Sequence, residues 1–206
     1  MIVDLDQGSP EWIEWRKRRK NASESSALLR LSPWTPRTPF ELFEVKSGRR
    51  QVPVTPAMAR GVELEVTARA LYEITQSDLM VPYVVEGEDN YAASLDGLSW
   101  DGTRILEIKC PWKGSASDLW ARATRGQVPP HYQCQVQGEL MASGADRADF
   151  AVYAWDSHQL TIIEVRHDLD MQARIRSAWD AFWPDYEAGR APGEDYMSLL
   201  KRSITA

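Results

Sequence analysis

The densest chemistry in the chain lies in two short runs, Ser94-Leu95-Asp96-Gly97-Leu98 and Ile105-Leu106-Glu107-Ile108-Lys109-Cys110-Pro111. If the second run is a strand, alternation puts Glu107 and Lys109 on one face and Leu106 and Ile108 on the other. Burying an unpaired charge costs several kcal/mol, so two charged side chains on a strand otherwise suited to burial demand a partner such as a metal ion. Asp96, at the end of the preceding strand across a tight turn at 99–103, is placed to be a second carboxylate. An Asp, a Glu and a backbone carbonyl are hard oxygen donors that suit Mg²⁺, which keeps several waters for a substrate phosphate. The same triplet also suits the solvated face of a surface hairpin with Asp96 in its turn, and the pattern alone leaves both readings open. Gln135 and Gln137, beside Tyr132 and Cys134 on a later helix, are polar groups able to reach such a site.

The elements that must hold these residues follow from period and punctuation. Ser9-Pro10 reads as the start of a helix carrying Trp12, Trp15, Arg16 and the basic run 16–20. Ser23 reads as the cap of a second helix through Leu31, and Pro33, Pro36 and Pro39 then break the chain. Thr38 with Glu41 makes a capping box for a third helix that stops near Gly48. Thr55-Pro56 opens a longer one, in which Met58, Val62, Val66, Ala70, Leu71 and Ile74 form an apolar stripe beside Glu65, itself one turn from Gly61 and Arg69. Strands are expected at 79–85, 91–95 and 104–110, helices at 115–124 and 131–143, strands at 148–155 and 160–166, and a Trp-rich helix at 169–186. A helical connection between the third and fourth strands makes a parallel pair inside an otherwise antiparallel sheet. We therefore expect an α/β (α+β) fold, a mixed five-stranded sheet flanked by helices. It forms a single domain over 1–206, with N-terminal helices at 9–76, a catalytic sheet and helices at 79–166, and a C-terminal helix at 169–206.

Composition narrows the function classes. The chain has 206 residues, 43% of them hydrophobic, enough for one core and against disorder. With 24 Lys and Arg against 30 Asp and Glu, the net charge is −6, which is not that of a broadly basic nucleic-acid binder, although metal-binding carboxylates can hide a local basic patch. Two cysteines, Cys110 and Cys134, make neither a disulfide framework nor a zinc spacing, and read as buried small hydrophobes in a reducing compartment. No run approaches the roughly 20 apolar residues of a membrane span, so a soluble, cytoplasmic protein is expected. His131, His158 and His167 show no metal spacing, and Trp179 and Trp183, four apart, read as core or subunit interface.

Taken in order, the blocks from Trp12 through Arg16 to Ser23, from Gly61 to Arg69 around Glu65, from Ser94 to Leu98, from Leu106 to Pro111 and from Tyr132 to Gln137 resemble the lambda-type phage (alkaline) exonucleases. These are the YqaJ-like viral recombinases of the PD-(D/E)xK nuclease superfamily. Leu95 departs from the proline that the superfamily name expects before the Asp, at a position that ligates nothing. The resemblance implies a restriction-endonuclease-like core and a Mg²⁺-dependent 5′→3′ exonuclease on linear double-stranded DNA, encoded by a phage or prophage and acting in a bacterial host. Such an enzyme releases 5′-mononucleotides and leaves 3′ single strands for annealing. It implies that Asp96, Glu107 and the Ile108 carbonyl bind one Mg²⁺, that Glu65 helps bind a second, and that Mn²⁺ can substitute. Lys109 would orient or deprotonate the attacking water, with its pKa lowered beside two cations. Gln135 would support that water or the scissile phosphate. Arg16, Ser23 and Ser94 would hold a terminal 5′-phosphate, whereas position alone favours Ser23 as a helix cap and Arg16 as a solvated charge. The family further implies a ring-shaped trimer around DNA and a single-strand annealing partner. The rivals are another nuclease of the superfamily, endonucleolytic or 3′→5′, and a non-catalytic DNA-binding adaptor.

Overall fold

The computed structural model describes residues 1–193 and 196. Its centre is a seven-stranded sheet: β1 (Ile2–Val3), β2 (Lys20–Asn21), β3 (Met80–Glu86), β4 (Tyr91–Ser99), β5 (Arg104–Lys109), β6 (Arg147–Ala154) and β7 (Gln159–Arg166). The spatial order is β1-β3-β4-β5-β6-β7, with β2 added in parallel to the start of β4. Neighbours along the main path are antiparallel except β5 and β6, which run parallel over six residue pairs from Arg104 against Arg147 to Lys109 against Val152. The five expected strands and the expected parallel pair are present. The two additional strands are only two residues long, below the length at which alternation can be read.

Helices α1 (Pro10–Lys17), α2 (Ser25–Leu28), α3 (Pro39–Lys46), α4 (Pro56–Gln76), α5 (Asp118–Ala123), α6 (Pro130–Ser143) and α7 (Leu169–Glu187) complete the fold. Ser9, Thr38, Thr55, Ser117 and Asp168 each accept an early backbone N–H of the helix they precede, satisfying one donor that would otherwise be orphaned. Thr38 forms half of the expected box: Glu41 reaches the Arg37 amide at 2.7 Å, one residue before the cap. The second helix is one turn long, and Ser23 is not its cap, because it sits in a 3₁₀ turn at Ala22–Glu24. Residues 194, 195 and 197–206 of the expected C-terminal helix lie outside the described residues.

Two apolar layers sandwich the sheet. On one face Leu28, Leu42, Phe43, Val136, Leu140, Ile175, Trp179 and Phe182 from α2, α3, α6 and α7 pack on Leu95, Ile105, Phe150 and Val152. On the other, Ala68 and Tyr72 of α4 pack on Met80, Leu106, Ile108, Ala151 and Tyr153. This corrects the expected stripe of α4. Met58, Val62, Val66, Ala70 and Ile74 are exposed, and the inward side is built on Ala68 and Tyr72 one turn apart. Trp179 is core, and Cys134 is buried whereas Cys110 is only half-buried.

The pairing of β3 with β4 is interrupted by a bulge. Val81 pairs with Leu98 and Tyr83 with Leu95, so one residue of β3 stands opposite two of β4, Asp96 and Gly97. The extra residue bends the strand and re-aims the side chains on either side of it. A Cβ at Gly97 would lie 2.7 Å from the Cβ of Met80 and 3.3 Å from that of Leu106, so only glycine lets the bulged strand pack so closely.

Candidate active site

Asp96 leaves β4 at the bulge and Glu107 lies on the neighbouring β5, adjacent to the Gly97–Leu106 pair. Asp96 Oδ2 accepts the Ile108 amide at 2.7 Å, which ties the two strands where their carboxylates meet. Arg69 of α4 donates to the Asp96 carbonyl at 2.9 Å and to Glu65 Oε1 at 3.3 Å, so α4 carries Glu65 to the same point. Alternation then places the Lys109 ammonium against Glu107. From the opposite layer, α6 brings Gln135, whose Nε2 donates to Glu107 Oε1 at 2.7 Å. Glu65, Asp96, Glu107, Ile108, Lys109 and Gln135 are thus gathered at one place.

The electrostatics there are tense. Burial, and then the Glu107 carboxylate, push the Asp96 carboxyl well above its ordinary range. Burial raises Glu65 as well, and the charge of Arg69 only partly opposes it. For Lys109 burial works to lower the pKa, but the Glu107 carboxylate against it outweighs burial and raises the value, which favours the ammonium form in the protein's own charge set. The expected depression of Lys109 is therefore absent from the protein's own charge set. The Lys109 Nζ also lies 5.1 Å from the ring centroid of Tyr132.

One carboxylate here escaped the sequence reading. Glu139 is buried, its Oε1 accepts the second Gln135 amide hydrogen at 2.8 Å, and burial followed by Glu107 raises its pKa far above the ordinary range. Its position was available as a signal, because Glu139 follows Gln135 by four residues on one helix. Four carboxylates, Glu65, Asp96, Glu107 and Glu139, face two cationic side chains, Arg69 and Lys109.

A second cluster forms beside α1. Arg16 Nη2 donates to Ser23 Oγ at 3.1 Å, its guanidinium lies 4.5 Å over the Trp12 ring, and Trp12 Nε1 donates to Ser94 Oγ at 2.8 Å. Ser94 is two residues from Asp96 on β4. Gly138 of α6 lets the Ser23 turn approach, since a Cβ there would lie 3.0 Å from both Cα and Cβ of Ala22. Lys46, almost wholly buried, donates to the Arg16 carbonyl at 2.8 Å and to Glu24 Oε2 at 2.7 Å among the rings of Trp179, Trp183 and Tyr186. The other oxygen of Glu24 lies 3.6 Å from Arg16. The rest of the basic run is largely engaged: Lys17 with Glu14, Arg19 with Glu86, and Lys20 with Asp180.

The sequence profile of the YqaJ-like viral recombinase domain matches residues 11–146, two thirds of the chain and the span holding Arg16, Ser23, Glu65, Ser94, Asp96, Glu107, Lys109 and Gln135. The chain belongs to this family. The alkaline exonuclease LHK-Exo of Laribacter hongkongensis is similar to it at 25% identity, covering 96% of this chain and 99% of that one with a TM-score of 0.70. The same enzyme in complex with dAMP gives a TM-score of 0.71. A phage-related exonuclease from Haemophilus somnus 129PT shares the fold at 15% identity and a TM-score of 0.62, covering 82% and 94% of the two chains. None of the curated protein sequences matches. As a YqaJ-like recombinase the chain is a nuclease of the phage exonuclease type, with the PD-(D/E)xK-like α/β core. No helix among the described residues is long and apolar enough to cross a membrane.

Proposed function

We propose that this YqaJ-like protein is a Mg²⁺-dependent exonuclease that digests one strand of linear double-stranded DNA from its 5′ end, releasing 5′-mononucleotides. The observation that carries this reading is the position of the Arg16, Ser23 and Ser94 cluster relative to Asp96. Two residues of strand span about 7 Å, comparable to the step between neighbouring phosphates of one nucleic-acid strand. A terminal phosphate bound at Ser94, with Arg16 and Ser23 as further donors, would therefore present the next phosphodiester near Asp96 and Glu107, and cleavage there frees one nucleotide. Arg supplies a planar fork for phosphate oxygens, and the serine hydroxyls add donors. LHK-Exo binds dAMP, a nucleoside monophosphate of the kind such a cut releases.

The donor chemistry fits a divalent cation. Among the described residues no three acidic, histidine or cysteine side chains converge into a ready-made cage. Mg²⁺ does not require one, because it is held by one or two carboxylates together with waters and substrate phosphate. Asp96, Glu107 and the Ile108 carbonyl would hold one ion and Glu65 would share in a second, with Mn²⁺ as a substitute. Burial and mutual repulsion disfavour the ionised forms of Glu65, Asp96 and Glu139, and a divalent cation would favour them. When bound, the metal supplies neutralisation of the charge that develops on the attacking and leaving oxygens. Lys109 would orient or deprotonate the attacking water, and Gln135 would support that water or the scissile phosphate.

The product strand, a 3′ overhang, suits a single-strand annealing partner in recombination, and the chain would encircle its duplex as a ring-shaped trimer in a bacterial cytoplasm. A closed ring gives a protein of net charge −6 a hold on DNA that does not depend on a basic exterior. The test is digestion of linear duplexes labelled at either end, with and without 5′-phosphate, in Mg²⁺. Loss of label first from the 5′ end, faster with 5′-phosphate, is expected. Initial release from the 3′ end or internal cuts would replace this reading with one of the rival nucleases, and no Mg²⁺-dependent release at all would favour an adaptor.

A further inference from the structure

The second carboxylate on Gln135 fixes more than a contact. A glutamine amide has two N–H hydrogens on Nε2 and a carbonyl Oε1 that only accepts. Both donations of Gln135 are spent inside the protein, one on Glu107 at 2.7 Å and one on Glu139 at 2.8 Å. The amide then has no hydrogen left for a phosphate oxygen. Its Oε1 accepts no hydrogen bond from the described residues, and the only bonds of the amide are the two donations from Nε2. Glu139 meanwhile is 1% exposed, and its Oε2 is a buried oxygen without a partner among the described residues, an arrangement that ordinarily costs stability.

We propose that Glu139 is a positioning residue: by accepting one Gln135 hydrogen it locks the amide with Oε1 turned toward the reaction centre, where that oxygen accepts a hydrogen bond from the attacking water. This rests on the exonuclease reading and assigns Gln135 to the water rather than to the scissile phosphate. Glu107 alone does not accomplish the lock, because an amide held by one hydrogen rotates about that bond. The device works in either protonation state of Glu139, since one oxygen accepts both in the carboxylate and in the neutral acid. It also explains why a group that need only accept is placed on the turn of α6 beyond Gln135.

The test compares Glu139→Ala and Glu139→Gln in the full chain. Cleavage of a 5′-phosphorylated duplex is followed in single turnover in Mg²⁺ and corrected for the active fraction by titration with end-labelled DNA. Binding of the same duplex is measured in Ca²⁺, and Mg²⁺ affinity by calorimetry. Glu139→Ala should slow cleavage by about ten- to a hundredfold, the scale of a misplaced reacting group, with duplex and Mg²⁺ affinities unchanged. Glu139→Gln, which keeps an acceptor oxygen, should restore the rate to within about twofold. An alanine variant as fast as the parent, a glutamine variant as slow as alanine, or a loss of Mg²⁺ affinity in either would overturn the proposal. The last two outcomes would make Glu139 a charge or a ligand instead. A second measurement needs no stable variant at position 139: in the parent protein the side-chain amide protons of Gln135, assigned by their absence in Gln135→Leu, should exchange slowly with solvent, and free exchange would also overturn it. A parent that cleaves no duplex would instead remove the exonuclease reading itself.

Discussion

Asp96, Glu107 and Lys109 act, in this reading, on the chemical step and not on the hold of the protein on DNA. Asp96→Ala, Glu107→Ala and Lys109→Ala should each lower single-turnover cleavage by at least about a thousandfold, the scale of losing a preorganised charge at the transition state, while duplex affinity in Ca²⁺ stays near that of the parent. Near-parental turnover in any of them would remove that residue from the mechanism. Arg16 carries a different expectation. A charge-assisted contact contributes roughly 1.5 to 3 kcal/mol, so Arg16→Ala should slow digestion of 5′-phosphorylated duplex by about ten- to a hundredfold and 5′-hydroxyl duplex much less. Equal slowing of both substrates, measured on the same duplex with and without phosphate, would show that no terminal phosphate is read there. Glu107 and Lys109 were legible together because alternation along a strand is a short-range rule, and Asp96 because a tight turn joins its strand to theirs. Glu24 and Lys46 were not, because what makes them matter is contact across 22 residues and with the rings of α7.

At the level of elements, the bulge in β4 and the close approach of α6 to the Ser23 turn set the geometry. Neither could be read from the sequence, because a bulge is a mismatch between two strands and an approach is a property of two packed elements. The long helix α4 shows the same limit in reverse: spacing revealed an apolar stripe, but periodicity states that a face exists and not which neighbour covers it. Tyr72 and the small Ala68 won the inward position, since a small residue lets α4 lie close to β5 while Tyr72 reaches the Asp149 carboxylate. We expect Gly97→Val to destabilise the sheet, because its Cβ would collide with the Met80 Cβ at 2.7 Å and press on the Leu106 Cβ at 3.3 Å in the layer under α4. Overpacking of this kind costs about 1 to 3 kcal/mol, to be read as a lowered urea midpoint. An unchanged midpoint would mean that the bulge relaxes to accept it.

For the whole molecule, the stripe of Met58, Val62, Val66, Ala70 and Ile74 is apolar surface that a ring of copies would cover. If the proposed ring forms on this stripe, Val62→Glu combined with Val66→Glu should lower the sedimenting mass from trimer to monomer, and a parent that is already monomeric would remove the ring. The carboxylate cluster also links stability to pH. The folded-state pKa of Glu139 is raised, so the folded protein holds that proton more tightly than the unfolded chain. Its effect is absent at pH values below the ordinary carboxylate range. Above that range the unfolded chain releases the proton first, and folding is disfavoured increasingly until the folded pKa is passed. In the absence of divalent cations the Tm of Glu139→Gln should therefore rise relative to the parent as pH increases from acid to alkaline. A constant difference across that range would mean that Glu139 is not destabilised by ionisation.

Lys46 gives the 5′-phosphate reading a kinetic side. Glu24 shares its two oxygens between Lys46 and Arg16, so if Arg16 turned to an incoming phosphate the carboxylate would keep a buried cation as company. Likewise, Arg16 finds its old neighbour waiting when the nucleotide departs. On the proposed function, loading and unloading would then exchange one counterion for another without stranding a charge, which would favour a short dwell time for each released nucleotide and a quick advance to the next.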